Sequence, residues 1–335
     1  MASWIFPAER KGSAAFAQMG RTWPSEKKIV PEPVTGLPLT FLTSTDGGYS
    51  QSKIYQTHRQ WTSDGKWLIF RGVRETGPQA MAVNAETGQI VQLTESGFMG
   101  MLCAANKTMK LYVMSGGGGA RGPSGPRQIL EIDLAKLFAD VAAGSVKPAA
   151  NYQRIRGTIP ASLPGDGNMG LDVNDDFIYF RVGGPRTAPR SYEAVIGKDE
   201  VVFAMCENGR LIPGTGQEPN YASAGTWEKP TGVGVINLRT RQMRIAGQVP
   251  LWSGGRSDWH VAGSGDGRWA ASDDFKYEVW LYDRHNGETT MLAGPQNVGA
   301  DHIHPMFNAE GTKIEVQSAL ISKDAAAQER TQSDV

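Results

Sequence analysis

A short phrase that recurs along the chain limits its possible folds more than any other feature. In the clearest copy, the polar turn Ser63-Asp64-Gly65-Lys66 precedes the apolar strand Trp67-Leu68-Ile69-Phe70. Further copies occupy residues 265–271 and 309–316, and weaker copies occupy residues 106–113 and 174–180. An Asp-Gly pair between apolar runs is a strong hairpin signal, because glycine tolerates the positive φ of a tight turn. The repetition therefore predicts an all-β chain built from similar hairpins.

A second hairpin follows the first in two of the copies. Residues 85–88 lead into the apolar run 90–94, and residues 284–287 lead into 289–292. Two hairpins make four strands, and the better-spaced copies recur at 42 residues (positions 64 to 106) and 44 residues (positions 266 to 310). Four strands in about 40 to 45 residues are typical of a β-propeller blade.

The phrase divides the chain into five clear repeats within one expected propeller domain, residues 1–335. The repeats lie near residues 50–97, 98–162, 163–251, 252–297 and 298–322. The third is long enough for one blade with a long loop or for two blades, and a short inserted helix is predicted at 134–141. Residues 27–45 are typical of an outer hairpin, and we expect them to complete the last blade. The N-terminal strands would then close the ring and pair exposed edges.

Composition excludes several classes of partner. The 34 basic and 34 acidic residues cancel, which argues against a nucleic-acid-binding surface. No apolar run approaches the length of about twenty residues that spans a membrane, and the N-terminus lacks a basic segment followed by an apolar one. We expect a cytoplasmic protein, or a periplasmic one if a signal peptide has been removed. The two cysteines, Cys103 and Cys206, are expected to be buried thiols.

The placement of the five histidines is the strongest functional signal. His58, His260 and His304 each lie six residues before the acidic residue of their turn, so they share one position on the innermost strand of the first, penultimate and last repeats. Ring closure would make these repeats neighbours, and inner strands line the axial channel. His302 would face the same side as His304. His285 lies in an outer hairpin and is expected to stay outside this cluster.

Convergent imidazoles favour a divalent metal site. Three nitrogens and one oxygen donor would leave an open coordination position for substrate. Gln296 or Asp301, both in the loop that leads into His302, could supply the oxygen. Asp301 could instead orient His302 from outside the coordination sphere.

Cations and aromatic residues flank the same strands and are candidates for substrate binding. An arginine beside a metal suits a carboxylate-bearing substrate, which it can pair with in bidentate fashion, although each of these residues could also form an ordinary surface salt bridge. The Pro-rich loop at 183–190 could cover the ring. The candidates are Arg59, Arg256, Trp259, Asn168 at the matching position of the third repeat, and Arg186 and Arg190 in that loop.

The chain resembles the oligogalacturonate lyase family. The resemblance covers most of the chain and rests on residues 20–26 (Gly-Arg-Thr-Trp-Pro-Ser-Glu), on Asp258-Trp259-His260 ahead of a Gly-Asp-Gly turn, and on His302-Ile303-His304-Pro305. It implies a seven-bladed propeller that cleaves uronate-containing oligosaccharides by β-elimination.

The resemblance also implies a set of site residues. The family holds manganese with three histidines and a glutamine, which correspond here to His260, His302, His304 and the nearest glutamine, Gln296; zinc, nickel or calcium are alternative metals. The family takes its base from a histidine in the blade before His260, but this chain has no histidine between His58 and His260.

We therefore expect the base to be His58 or Tyr221, with Arg59 beside it, or the substrate to differ from galacturonate. Two other functions remain open from the sequence. One is a non-catalytic propeller that binds a partner or a glycan, and the other is a metal-dependent hydrolase or lactonase.

Overall fold

The fold was analysed in a computed structural model of the chain. The structure describes residues 18–44, 49–51, 59–74, 77–95, 98–116, 127–159, 165–171, 174–182, 190–195, 203–205, 221–226, 232–237, 240, 242–249, 258–296 and 303–321.

These residues form short strands, one α-helix and one 3-10 turn. In chain order the elements are β1 (Thr22–Trp23), β2 (Lys28–Pro31), β3 (Pro38–Phe41), β4 (Tyr49–Gln51), β5 (Trp67–Arg74), β6 (Gly77–Asn84), β7 (Ile90–Gln92), β8 (Phe98–Ala104), β9 (Lys110–Ser115), β10 (Arg127–Asp133), α1 (Leu134–Ala142), the 3-10 turn Ala149–Asn151, β11 (Gln153–Ile159), β12 (Gly165–Leu171), β13 (Phe177–Val182), β14 (Arg190–Val195), β15 (Phe203–Met205), β16 (Tyr221–Thr226), β17 (Gly232–Asn237), β18 (Met243–Gly247), β19 (Asp258–Gly263), β20 (Trp269–Asp274), β21 (Val279–Asp283), β22 (Thr289–Ala293), β23 (Met306–Phe307) and β24 (Ile314–Glu315).

The strands pair into antiparallel sheets that follow one another along the chain. Sheet 1 has the order β1-β7-β6-β5-β4, and sheet 2 is β8 to β11. Sheet 3 is β12 to β15, sheet 4 is β16 to β18, and sheet 5 is β19 to β22. Sheet 6 is the pair β23-β24, and β2-β3 forms a separate N-terminal hairpin. Four strands in meander order, as in sheets 2, 3 and 5, are the topology of a propeller blade.

The predicted all-β architecture of four-stranded antiparallel sheets is confirmed, with two additions. The segment 163–251 holds two described sheets, the four-stranded sheet 3 and the three-stranded sheet 4. The N-terminal residues contribute more than the expected hairpin, because β1 pairs with β7 and adds a fifth strand to sheet 1.

The N-terminal hairpin is attached near the end of sheet 5. The hydroxyl of Thr35 donates to the carbonyl of Leu292 at 3.2 Å, and the amide of Gly294 donates to the carboxylate of Glu32 at 3.2 Å. The chain thus brings residues 32–35 to residues 292–294, although the described part of the hairpin forms no ladder with another sheet.

The turns that carry the repeated phrase are built alike. A carboxylate oxygen of Asp64 accepts from the amide of Lys66 at 3.1 Å and from the hydroxyl of Thr62 at 2.6 Å. Asp266 accepts from the amide of Arg268 at 3.0 Å and from the hydroxyl of Ser264 at 2.5 Å. The following glycine has a positive φ in both copies, 64° in the first and 74° in the second. The aspartate therefore closes the turn in the same way in both copies.

Apolar side chains fill the spaces between consecutive sheets. Sheets 1 and 2, sheets 2 and 3, and sheets 4 and 5 each share a buried cluster. Sheet 6 has a neighbour on each face, because Met306 packs against sheet 1 and Phe307 packs against sheet 5. The first and last described sheets therefore touch.

The helix α1 is capped by Asp133, whose carboxylate accepts from the amide of Lys136 at 3.0 Å. It buries Leu134 and Leu137, and the ring of Phe138 stacks on Trp67 with centroids 4.1 Å apart. The short helix predicted at 134–141 is thus present. Within the described ranges, no helix combines the length and the apolar character needed to cross a bilayer.

Candidate metal centre

Two of the predicted histidines come together where sheets 5 and 6 meet. His260 lies on β19, and His304 lies two residues before β23. Their ring centroids are 4.2 Å apart, with the planes at 70°. Both residues are buried, with exposed fractions of 3% and 8%. The shared position in the repeat thus corresponds to a contact in space for this pair.

A carboxylate that the sequence did not single out holds His260. Asp273, on the neighbouring strand β20, is buried, and its two oxygens lie 3.1 and 3.0 Å from Nδ1 of His260. The same carboxylate accepts from the backbone amide of His260 at 2.7 Å. Since a carboxylate accepts hydrogen bonds, Nδ1 of His260 carries the hydrogen.

Asp273 also reaches across to sheet 6. Its Oδ2 accepts from the backbone amides of Ile303 at 3.1 Å and His304 at 3.2 Å. His304 has a φ of 51°, in the left-handed region that costs a non-glycine residue about 1 to 2 kcal/mol. The hydrogen bonds from these two amides help to hold this strained backbone and, with it, the direction of the His304 side chain.

Aromatic rings extend from the histidine pair. Trp259 stacks on Phe275 with centroids 4.2 Å apart, and its ring lies within 14° of parallel to that of His260 at 5.4 Å. The predicted substrate-binding Trp259 therefore belongs to the immediate surroundings of His260.

Buried hydrogen bonds fix the start of the same strand. Asp258, which is fully buried, accepts from the hydroxyl of Ser272 at 2.5 Å and from the phenol of Tyr282. Burial and the charge of Asp258 raise the pKa of Tyr282 far above its ordinary value, so the phenol stays a donor.

Arg59 is buried rather than exposed on the surface. Burial lowers the pKa of its guanidinium, while the nearby Cys103, Asp175 and Glu310 act in the opposite direction. Cys103 is a buried thiol, as predicted, and burial raises its pKa to about 12. The two carboxylates near Arg59 come from other parts of the chain: Asp175 precedes β13, and Glu310 lies between β23 and β24.

Gln296 is fully buried beside the last strands. Its side-chain nitrogen Nε2 donates to the carbonyl of Gly294 at 2.8 Å, and its backbone carbonyl accepts from the amide of Ala319 at 3.0 Å. Its Oε1 has no hydrogen-bond partner in the described part of the chain, and neither described imidazole is bonded to it. Gln296 lines a cavity of about 480 Å³ between β3 and residues 313–318.

The remaining predicted residues fall into three groups. His58, Arg186, Arg256, Asp301, His302 and Cys206 lie outside the described residues. Asn168, Arg190 and Tyr221 lie on β12, β14 and β16, and only their strand positions are described. His285 is exposed in the turn between β21 and β22, away from the pair, as expected.

The described donors fit part of a metal site. Among the described residues, no three or more side chains of His, Cys, Asp or Glu form a metal-holding group. Two buried imidazoles meet, however, and the carboxylate of Asp273 places the hydrogen of one of them on Nδ1. Paired imidazoles are donors that suit a divalent metal.

Comparison with known proteins shows a relationship in structure only. No protein-family model and no curated protein matches the chain. An oligogalacturonate lyase from Vibrio parahaemolyticus aligns with a TM-score of 0.64 and 14% identity, over 91% of this chain and 96% of that one. An oligogalacturonate lyase in complex with manganese aligns with a TM-score of 0.65 and 16% identity, over 90% of this chain and 95% of that one.

A gluconolactonase from Xanthomonas campestris aligns with a TM-score of 0.47 and 11% identity, over 93% of this chain and 97% of that one. At these identities the two lyase structures show that the chain shares their fold.

Proposed function

We propose that the protein is a metal-dependent lyase that cleaves uronate-containing oligosaccharides by β-elimination. The observation that carries the proposal is the contact between the buried rings of His260 and His304, with Nδ1 of His260 held by Asp273. The shared fold with an oligogalacturonate lyase in complex with manganese supports the same class of reaction.

We also propose that the sheets close into a propeller ring. The packing of Met306 against sheet 1 and of Phe307 against sheet 5 supports closure, because it makes the first and last sheets neighbours. The N-terminal hairpin would form the outer part of the last blade. A total of seven blades and a cytoplasmic location stay predictions.

The residues proposed to hold the metal are His260, His302 and His304, with manganese as the favoured ion. When bound, the metal would supply positive charge near the uronate carboxylate and make the proton on C5 more acidic. Gln296 stays the proposed fourth ligand; its buried Oε1 has no hydrogen-bond partner among the described residues.

The chain would supply the remaining chemistry. Arg59 or Arg256 would pair with the uronate carboxylate. His58 or Tyr221 would take the proton from C5. The electron pair of the C5–H bond would form the double bond between C4 and C5 as the C4–O bond breaks. A tyrosine or water would protonate the departing oxygen. Trp259, Asn168 and Arg186 are proposed to bind the sugar.

Elemental analysis of untagged protein tests the metal site. We expect about one metal per chain in the wild type and little in His260→Ala, because an imidazole ligand is lost. His285→Ala is the matched control, since His285 is exposed in an outer turn and should leave the metal content unchanged. A wild-type protein that binds no metal would contradict the proposal.

Incubation with galacturonate oligosaccharides tests the reaction. A lyase produces a 4,5-unsaturated uronate, which absorbs in the ultraviolet, together with a new reducing end. New reducing ends without ultraviolet absorbance would identify a hydrolase instead. A protein that binds the oligosaccharide and releases no product would be a non-catalytic propeller.

A further inference from the structure

The carboxylate of Asp273 lies at the junction of the two sheets that supply the described histidines. We propose that Asp273 is a positioning residue that presets both imidazoles for the metal without binding the metal itself. The inference rests on the proposed function for the presence of a metal. The contacts of Asp273 that support it involve protein atoms only.

Asp273 orients the ring of His260. Both carboxylate oxygens lie within 3.1 Å of Nδ1, and one of them also accepts from the backbone amide of the same residue at 2.7 Å. These bonds select the tautomer with hydrogen on Nδ1 and orient the ring. Nε2 is therefore the nitrogen without hydrogen, through which this imidazole would coordinate a metal.

Asp273 also supports the backbone of His304. Its φ of 51° lies in a region that non-glycine residues rarely adopt, and such conformations persist only where surrounding contacts hold them. Oδ2 of Asp273 accepts from the amides of Ile303 and His304 at 3.1 and 3.2 Å. The side chain of Asp273 thus contacts both the imidazole of His260 on sheet 5 and the backbone of His304 beside sheet 6.

The chemistry of the contacts requires a carboxylate at this position. Every described partner of Asp273 is a donor: two nitrogens of His260 and the amides of residues 303 and 304. An asparagine has about the same size, but its NH₂ group would face donors and could accept nothing from them. Asp273→Asn should therefore disturb both histidines while filling the same volume.

The next residue provides a matched control. Asp274 is also buried, with 6% exposed, and it accepts from the amides of Lys276 and Glu278 at 2.9 and 3.0 Å. Its described bonds include neither imidazole. A general effect of removing a buried carboxylate from β20 would appear in Asp274→Asn, whereas an effect on histidine geometry would not.

Titration calorimetry of the full chain with Mn²⁺ provides one readout. We expect Asp273→Asn to bind Mn²⁺ about 10- to 100-fold more weakly than the wild type, as for other groups that orient metal-binding histidines. Asp274→Asn should bind within about twofold of the wild type. Equal affinities in Asp273→Asn and the wild type would overturn the inference.

Nitrogen NMR of the metal-free wild type provides a readout that does not depend on the metal or on the folding of Asp273→Asn. The His260 signals, assigned by their loss in His260→Gln, should show hydrogen on Nδ1 and a bare Nε2. Hydrogen on Nε2 would overturn the inference. A wild type that binds no Mn²⁺ but shows hydrogen on Nδ1 would end the proposed function while supporting the role of Asp273 in setting the ring.

Discussion

The phenol of Tyr282 donates a hydrogen bond to the carboxylate of Asp258, and both side chains are fully buried. A buried carboxylate that loses a donor keeps its charge without that compensation, which costs about 1.5 to 3 kcal/mol. We expect Tyr282→Phe to lower the free energy of unfolding by this amount, measured by urea denaturation.

Tyr152→Phe serves as the comparison for Tyr282→Phe. The hydroxyl of Tyr152 also donates to a carboxylate, Asp140, at 2.8 Å, but that side chain is 19% exposed and water can replace the lost bond. The loss should be about 1 kcal/mol or less. Equal losses in the two variants would show that the burial of Asp258 does not decide the effect.

Glu131 holds together a cluster of cations on sheet 2. It pairs with Lys110 at 3.1 Å, Arg154 at 3.0 Å and Arg156 at 3.4 Å, and the side chain of Arg156 is only 5% exposed. Removing the one carboxylate would leave a buried guanidinium without this partner, at a cost of about 3 kcal/mol. We expect Glu131→Gln to show this loss in urea denaturation, while Arg154→Gln, at an exposed end of the cluster, loses about 1 kcal/mol or less.

The same carboxylate should make stability depend on acid. Burial acts to raise the pKa of Glu131, but the hydrogen bond and charge of Lys110 and the charges of Arg154 and Arg156 outweigh it, so the pKa lies below its ordinary value. The stabilisation is therefore present above about pH 4.5 and is lost as the pH falls through the lower folded-state pKa. Thermal unfolding of Glu131→Gln should show a smaller loss over that range than the wild type.

Glu278 should show the opposite dependence. Burial, together with the charge and hydrogen bond of Asp274, raises the pKa of Glu278 to about 7. The folded state holds the proton of Glu278 more tightly than the unfolded state does. The contribution of Glu278 to stability is therefore greatest below about pH 4.5 and falls as the pH rises towards 7. Solvent screening keeps the change on the order of 1 kcal/mol. Glu278→Gln should lack this fall, and an unchanged profile in the variant would contradict the assignment.

Gly247 lies against the ring of Tyr282 where sheets 4 and 5 meet. A Cβ at this position would overlap the ring, which is fully buried and has no room to move. We expect Gly247→Ala to cost about 3 kcal/mol in unfolding free energy. Gly77→Ala separates crowding from backbone strain, because Gly77 has a φ of 78° but open space around it, and its cost should stay near 1 kcal/mol.

Local and periodic signals predicted much of this structure. The Asp-Gly turns, the capped helix after Asp133 and the hairpin at 28–41 all depend on residues close together in the chain. The contact between His260 and His304 followed from a shared position in the repeat, because equivalent positions on adjacent sheets face each other. The pairing of β1 with β7 has no such signal, and residues 163–251 lack a regular phrase that would have separated sheets 3 and 4.

Asp273 shows why part of the site was missed. It is the last but one residue of the strand after an Asp-Gly turn, and a second aspartate ends that strand. Nothing in that pattern separates a carboxylate that holds a histidine from one that closes a turn. Its contact with residues 303 and 304, some 30 positions later, depends on the distance between sheets 5 and 6. Hydrophobic periodicity does not encode that distance.

The place of sheet 6 between sheets 5 and 1 has a consequence for biosynthesis. Gln60 bonds to Glu315, a partner 255 positions later in the chain, and Met306 covers the same face of sheet 1. At roughly 5 to 20 residues per second, a ribosome would need about 10 to 50 seconds to make the intervening segment. During that interval the nascent first sheet would expose an apolar face, so chaperones would have most to protect at the end of the protein that is made first.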